Sequence, residues 1–253
     1  MKCANSSAEI GANMSEHSKI LDKIQGGLIV SCQALKDEPL YSSYIMSRMA
    51  YAAMEGGASG IRANSVEDIL EIKKLVPLPI IGIIKMDYEG SEVYITPTMR
   101  EVDELVKIEV DIIAIDATNR IRPEGKTLDE FFAKVRVKYR NQLFMADCST
   151  LEEGLHAQKI GFDLIGTTMS GYTPYTKGVA LPNLDMMRSL VAQVKKPVIA
   201  EGGIWSTDDF VNALNTGVHA VVIGSSITRP REITKHYLEA AKSGLKSWNV
   251  SKS

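Results

Sequence analysis

The sequence predicts an α/β protein built as a single (β/α)8 barrel, and three observations carry that prediction. Short apolar runs recur eight times along the chain. Between them lie amphipathic segments that open on helix-cap residues. The turn after the first run, Cys32-Gln33-Ala34-Leu35, also lacks the glycines that a doubly wound nucleotide-binding sheet requires there.

The opening residues (MKCANSSAEIGANM) are small or polar and show no periodicity, so we expect a disordered leader over 1–17, a barrel over 18–246 and a tail over 247–253. The strand-like runs are Gly27 to Gln33, Gly60 to Ala63, Ile80 to Lys85, Asp111 to Asp116, Gln142 to Asp147, Asp163 to Thr167, Pro197 to Glu201 and His219 to Gly224. Most are continuously apolar, as expected of parallel strands covered on both faces. Helix starts are marked by Thr98, Thr127 and Thr150, each followed three residues later by a glutamate (Glu101, Glu130, Glu153) in the capping-box pattern. Ser65 with Asp68 and Ser206 with Asp209 are weaker forms of it. Compact turns (GGAS, EVD, GFD, GVH) precede strands two, four, six and eight, and a proline precedes strands three and seven.

At 253 residues and 45% hydrophobic content, the chain has the length and core of one such barrel. A net charge of −2 with both signs interspersed gives no footprint for nucleic acid or an anionic membrane. No run is long and apolar enough to span a bilayer, and no secretory signal opens the chain, which points to the cytoplasm. Three cysteines at unpatterned spacing suit free thiols, and four scattered histidines offer no metal-ligand spacing. Methionine-rich helices, Trp205 and Trp248 leave room for a homodimer.

Function in such barrels gathers at the C-terminal ends of the strands. Here those ends are Gln33, Arg62, Lys85, Asp116, Asp147, Thr167 with Thr168, Glu201, and Gly224 with Ser225. A single charge after a strand is unremarkable; five charged ends on one ring must be held by pairing or by use. Glu201-Gly202-Gly203 after strand seven and Gly224-Ser225-Ser226 with Arg229 after strand eight predict a phosphate site, since glycines admit close backbone approach and arginine engages the anion bidentately.

Taken in order, GLIVSCQ, GIRAN, IIGIIKMDY, DIIAIDAT, ADCST, GTTMSGYT, AEGGI and IGSSITRP resemble the N-acetylmannosamine-6-phosphate 2-epimerase family of bacterial sialic acid breakdown, from about Ile24 to Ala241. The resemblance implies a barrel that interconverts N-acetylmannosamine 6-phosphate and N-acetylglucosamine 6-phosphate without metal or nucleotide. It implies Lys85 and Glu201 as the catalytic pair, Gln33, Arg62 and Asp147 as sugar contacts, and Gly224, Ser225 and Arg229 as phosphate contacts. The chain departs from the family where a basic residue is common, at Met86 and Gly203.

The chemistry fits these residue types. Inverting carbon 2 of an N-acetyl hexosamine requires an open-chain aldehyde, loss of the carbon 2 proton to form an enolate, and return of a proton on the opposite face. Two facing proton-transfer groups, or one mobile group, would serve, and strands three and seven lie opposite each other in an eight-strand ring. A lysine serves as base when its pKa falls to ~7–8; a nearby cation such as Arg62, together with partial desolvation, would supply that shift, and Arg62 would also serve the enolate oxygen. An ion pair between Lys85 and Glu201 is the purely structural alternative. A Schiff-base aldolase using Lys85 and a non-catalytic sugar-phosphate sensor are the functional ones. Thr168 to Gly178 suits a loop over the substrate or a plain connection. Cys148, with no histidine in motif reach, and Met46, Met49 and Met54, at helical spacing, are expected to pack in the core.

Overall fold

Parallel strands pair in sequence order and close on themselves: β1 (Leu28–Cys32), β2 (Gly60–Asn64), β3 (Ile80–Ile83), β4 (Ile112–Asp116), β5 (Leu143–Asp147), β6 (Leu164–Gly166), β7 (Val198–Glu201) and β8 (Ala220–Ile223). The ring shuts where Leu28 faces Val221 and Val30 faces Ile223. This architecture comes from a computed structural model that describes residues 16–244. Residues 1–15 of the expected leader and all of the expected tail lie outside the described residues. Glu16 and His17, assigned to the leader from sequence, already belong to a first helix, α1 (16–24). Its His17 ring is held by the Asn141 carbonyl at 2.8 Å.

The remaining helices follow the strands: α2 (Ser43–Glu55), α3 (Val66–Lys73), α4 (Met99–Lys107), α5 (Leu128–Lys138), α6 (Leu151–Ile160), α7 (Leu184–Gln193), α8 (Thr207–Leu214), the short α9 (Ser225–Thr228) and α10 (Pro230–Gly244). Thr98, Thr127, Thr150 and Ser206 cap α4, α5, α6 and α8, and the acidic residue three positions on reaches back in each case. Ser65 completes only half of the pattern. Its hydroxyl accepts the Asp68 N–H, but the Asp68 carboxylate takes the Ser43 hydroxyl at 2.6 Å instead and ties α3 to α2.

Strand residues alternate between two cores. Ile29, Ile81, Ile83, Ile112, Met145, Leu164, Ile199 and Val222 fill the barrel interior. Their neighbours, such as Val30, Ile61, Ile113, Phe144, Ile165 and Val221, pack outward against the helices. The runs looked continuous in sequence because both faces are buried, as the pleat of a covered parallel sheet demands. Met46 is buried in the outer core, with Met49 and Met54 packed against it. No residue of α10 is buried, and Tyr237 and Leu238 on it are exposed. Among the described residues no helix is long and apolar enough to cross a membrane.

Candidate active site

The inward parity of the strands continues past the apolar layers into chemistry. Two residues beyond Ile29 comes Ser31, then Gln33; beyond Ile83 comes Lys85; beyond Ala114, Asp116; beyond Met145, Asp147; beyond Ile199, Glu201; beyond Val222, Gly224. Arg62 occupies the corresponding inward position of β2, flanked by outward Ile61 and Ala63. The polar residues are therefore the uppermost layer of the same core, gathered at the C-terminal mouth around a cavity of about 590 Å³.

An ion cluster forms its floor. Arg62, 1% exposed, donates to both oxygens of Asp147 at 3.1 and 2.6 Å and lies 2.9 Å from the Glu201 carboxylate. The Thr168 hydroxyl bridges the two acids, 2.6 Å from Asp147 and 3.2 Å from Glu201. The Glu201 backbone is clamped by Thr167, whose hydroxyl accepts its N–H at 3.0 Å and donates to its carbonyl at 2.8 Å. Burial raises the Glu201 pKa against the opposing pull of Arg62, while Asp147 adds to the rise. A carboxyl so placed stands ready to hold a proton.

Lys85 faces this cluster from β3. It is positioned by its backbone: its N–H donates to the Asn64 side chain at 2.8 Å, and it bridges to Ile95 in a small antiparallel arm that folds back over the barrel mouth. Among the described residues its Nζ has no hydrogen-bond or ion-pair partner, because Arg62 occupies the place beside Glu201 that a structural Lys85–Glu201 pair would need. Burial first, then the Arg62 and Arg229 cations, lower the Lys85 pKa to about 8. An amine shifted down and a carboxyl shifted up thus face each other from opposite strands.

On the β7–β8 side, Gly202 and Gly203 adopt φ of +110° and +71°, conformations that L side chains rarely take, and Gly224 opens the short α9. Arg229 lines the cavity beyond Ser225 and is held by Glu38 at 3.0 Å. The departure at Gly203 has a steric basis, since a Cβ there would lie 2.3 Å from the Leu181 Cβ. Met86, the other departure, is exposed.

The cavity wall includes Gln33, Arg62, Lys85, Glu201, Gly202, Gly203, Gly224, Ser225 and Arg229. Asp147, expected to contact the sugar, is not part of that wall. It is wholly buried, with both oxygens taken by Arg62 and Thr168, and so acts as the counter-ion that sets Arg62. Asp116 is likewise buried, bound by Arg120 and Thr118. Gln33 donates to Ser31 at 2.8 Å. Cys148 is buried, with burial raising its thiol pKa, and packs as expected. Tyr94, Met169, Tyr172 and Trp205 also line the cavity. None stands at a strand end, so parity gave no signal for them; the flanking Gly, Thr and Tyr of the β6 loop were the only hint.

Known proteins similar in sequence and fold narrow the chemistry. The family described as "Putative N-acetylmannosamine-6-phosphate epimerase" matches residues 46–243. A Clostridium perfringens (strain SM101) protein named "Putative N-acetylmannosamine-6-phosphate 2-epimerase" is 52% identical over 223 residues, covering 88% of this chain and 100% of its own. A Shouchella clausii protein of the same name is 54% identical over 223 residues, covering 87% of this chain and 98% of its own. The solved structure of the N-acetylmannosamine-6-phosphate 2-epimerase from Clostridium perfringens superposes with a TM-score of 0.82 at 52% identity, over 87% of this chain and 95% of that one. With fold, sequence and the matched span in agreement, the chain belongs to the N-acetylmannosamine-6-phosphate 2-epimerase family.

Proposed function

We propose that the protein epimerises carbon 2 of N-acetylmannosamine 6-phosphate to give N-acetylglucosamine 6-phosphate, with Lys85 and Glu201 as the proton-transfer pair. The observation that carries this reading is the geometry: Lys85, whose amine has no hydrogen-bond or ion-pair partner among the described residues, faces Glu201 across one cavity, with burial lowering the first pKa and raising the second. The phosphate is anchored by Arg229 and by the backbone of Gly202, Gly203, Gly224 and Ser225. The open-chain sugar then lies across the mouth with carbon 2 between the β3 and β7 side chains. One of the pair removes the carbon 2 proton and the other returns a proton to the opposite face. Arg62, locked by Asp147, donates to the oxygen on carbon 1 as it gains enolate charge, a contribution of ~10²–10³-fold for one well-placed donor. Gln33 holds a sugar hydroxyl.

Proton NMR in D2O tests the reaction. The expected result is the gluco epimer with deuterium at carbon 2, lost in Lys85→Met while the fold persists. Near-normal turnover in that variant would remove Lys85 from its role. The same reading extends to a cytoplasmic homodimer, supported by the free buried Cys32 and Cys148 and by the uncovered α10, and sedimentation of the full chain measures the assembly.

A further inference from the structure

We infer that Tyr94 and Met169 form the subsite for the acylamino group on carbon 2 and so set which acyl group is accepted; this rests on the epimerase reading. In a closed ring of eight strands, β7 stands opposite β3, and the β8–β1 sector stands opposite β4–β5. Lys85 and Glu201 take the two faces of carbon 2, which leaves its other three substituents in the plane between them. The carbon chain runs toward the phosphate on the β8 side, and the carbon 1 oxygen turns to Arg62 on the floor. The acylamino group is left with the wall above β4–β6.

That wall is built for such a group. Tyr94 lies on the arm docked between β3 and β4, where its carbonyl accepts the Met86 N–H at 3.0 Å and the adjacent Ile95 carbonyl accepts the Asp116 N–H at 3.1 Å. Met169 follows β6, its N–H bound to the Cys148 carbonyl at 3.0 Å. The two meet over the end of β5, and both line the cavity. Among the described residues the Tyr94 hydroxyl reaches only the Met169 sulfur, 3.9 Å away. A thioether is a weak acceptor, so a partly buried phenol is left with donor capacity facing the cavity. Burial raises its pKa and keeps it protonated. An amide carbonyl is the acceptor such a phenol lacks, and the Met169 thioether with Ile95 offers an apolar face to the acyl methyl.

The test uses the N-acetyl and N-propanoyl derivatives of mannosamine 6-phosphate, with deuterium uptake at carbon 2 as the readout. If the unaltered protein fails on the N-acetyl compound, the epimerase reading falls independently of the subsite. If it turns over, Met169→Ala is expected to move the propanoyl-to-acetyl ratio of kcat/KM about tenfold toward propanoyl, the size of one methylene's discrimination. Tyr94→Phe is expected to raise KM about five- to tenfold, as loss of one neutral hydrogen bond does, with inhibition by inorganic phosphate unchanged. The ratio is taken on a single preparation, so any loss of folded protein cancels. An unchanged ratio in Met169→Ala, or an unchanged KM in Tyr94→Phe, overturns the assignment.

Discussion

At the scale of single residues, the site is a problem of proton accounting. Whichever way the reaction runs, the pair carries one transferable proton: neutral Lys85 with protonated Glu201 on one side of turnover, ammonium with carboxylate on the other. Both directions therefore need the same total protonation, and loss of the last proton stops both. With Lys85 lowered to about 8, first by burial and then by Arg62 and Arg229, we expect kcat/KM from either epimer to fall about tenfold per pH unit above about 8. A profile that rises to about pH 8 and then levels off, with no fall above it, would instead identify a lone neutral Lys85 as the base. The residues of this account were legible in sequence because they sit at strand ends, where the side-chain period of two fixes direction. Their pairing was not legible. Arg62 could have lain beside Lys85, Glu201 or Asp147, and only the closed ring shows that it holds both acids and leaves the lysine free.

Among the elements, local signals were read well wherever they acted locally. Four of the expected caps form reciprocally because a hydroxyl and an acid three residues apart need nothing beyond the first helical turn. Identical patterns nevertheless do unequal work. Glu130 is exposed and serves its own helix. Glu153 is 1% exposed and accepts from Thr150, from the Ser149 N–H and hydroxyl, from the Asn119 N–H at 2.8 Å and from the Tyr175 hydroxyl, joining the loops after β4, β5 and β6. We therefore expect Glu130→Ala to cost ~1 kcal/mol, a cap's worth, and Glu153→Ala ~3 kcal/mol or more, because several donors lose a buried acceptor together. Chemical denaturation of the two variants side by side measures the difference, and equal losses would refute it. The same loops hold what sequence did not reveal. Tyr94 and Met169 face the cavity only because an arm folds back onto β4 and a loop crosses β5, contacts with no local code.

On the scale of the whole molecule, fold and site are one object. The barrel was readable from the repetition of apolar runs and caps, and its inner face carries, layer on layer, isoleucines below and ionisable groups above. Arg62, Asp147 and Glu201 stand on strands whose neighbours hold them on both sides, so local opening of a surface helix or loop leaves their spacing intact. We expect the temperature at which activity is lost to coincide with the loss of far-UV circular dichroism, because the segments that carry Lys85 and the phosphate contacts are pinned to the ring, Lys85 through Asn64 and Ile95 and α9 through the Thr228 hydroxyl on the Ser31 carbonyl. Inactivation well below the melting transition would contradict that. Because the charged layer is continuous with the hydrophobic one, a turnover assay on this protein doubles as a gauge of structural integrity. The residual rate of any variant altered far from the mouth then counts the fraction of molecules whose ring is still closed.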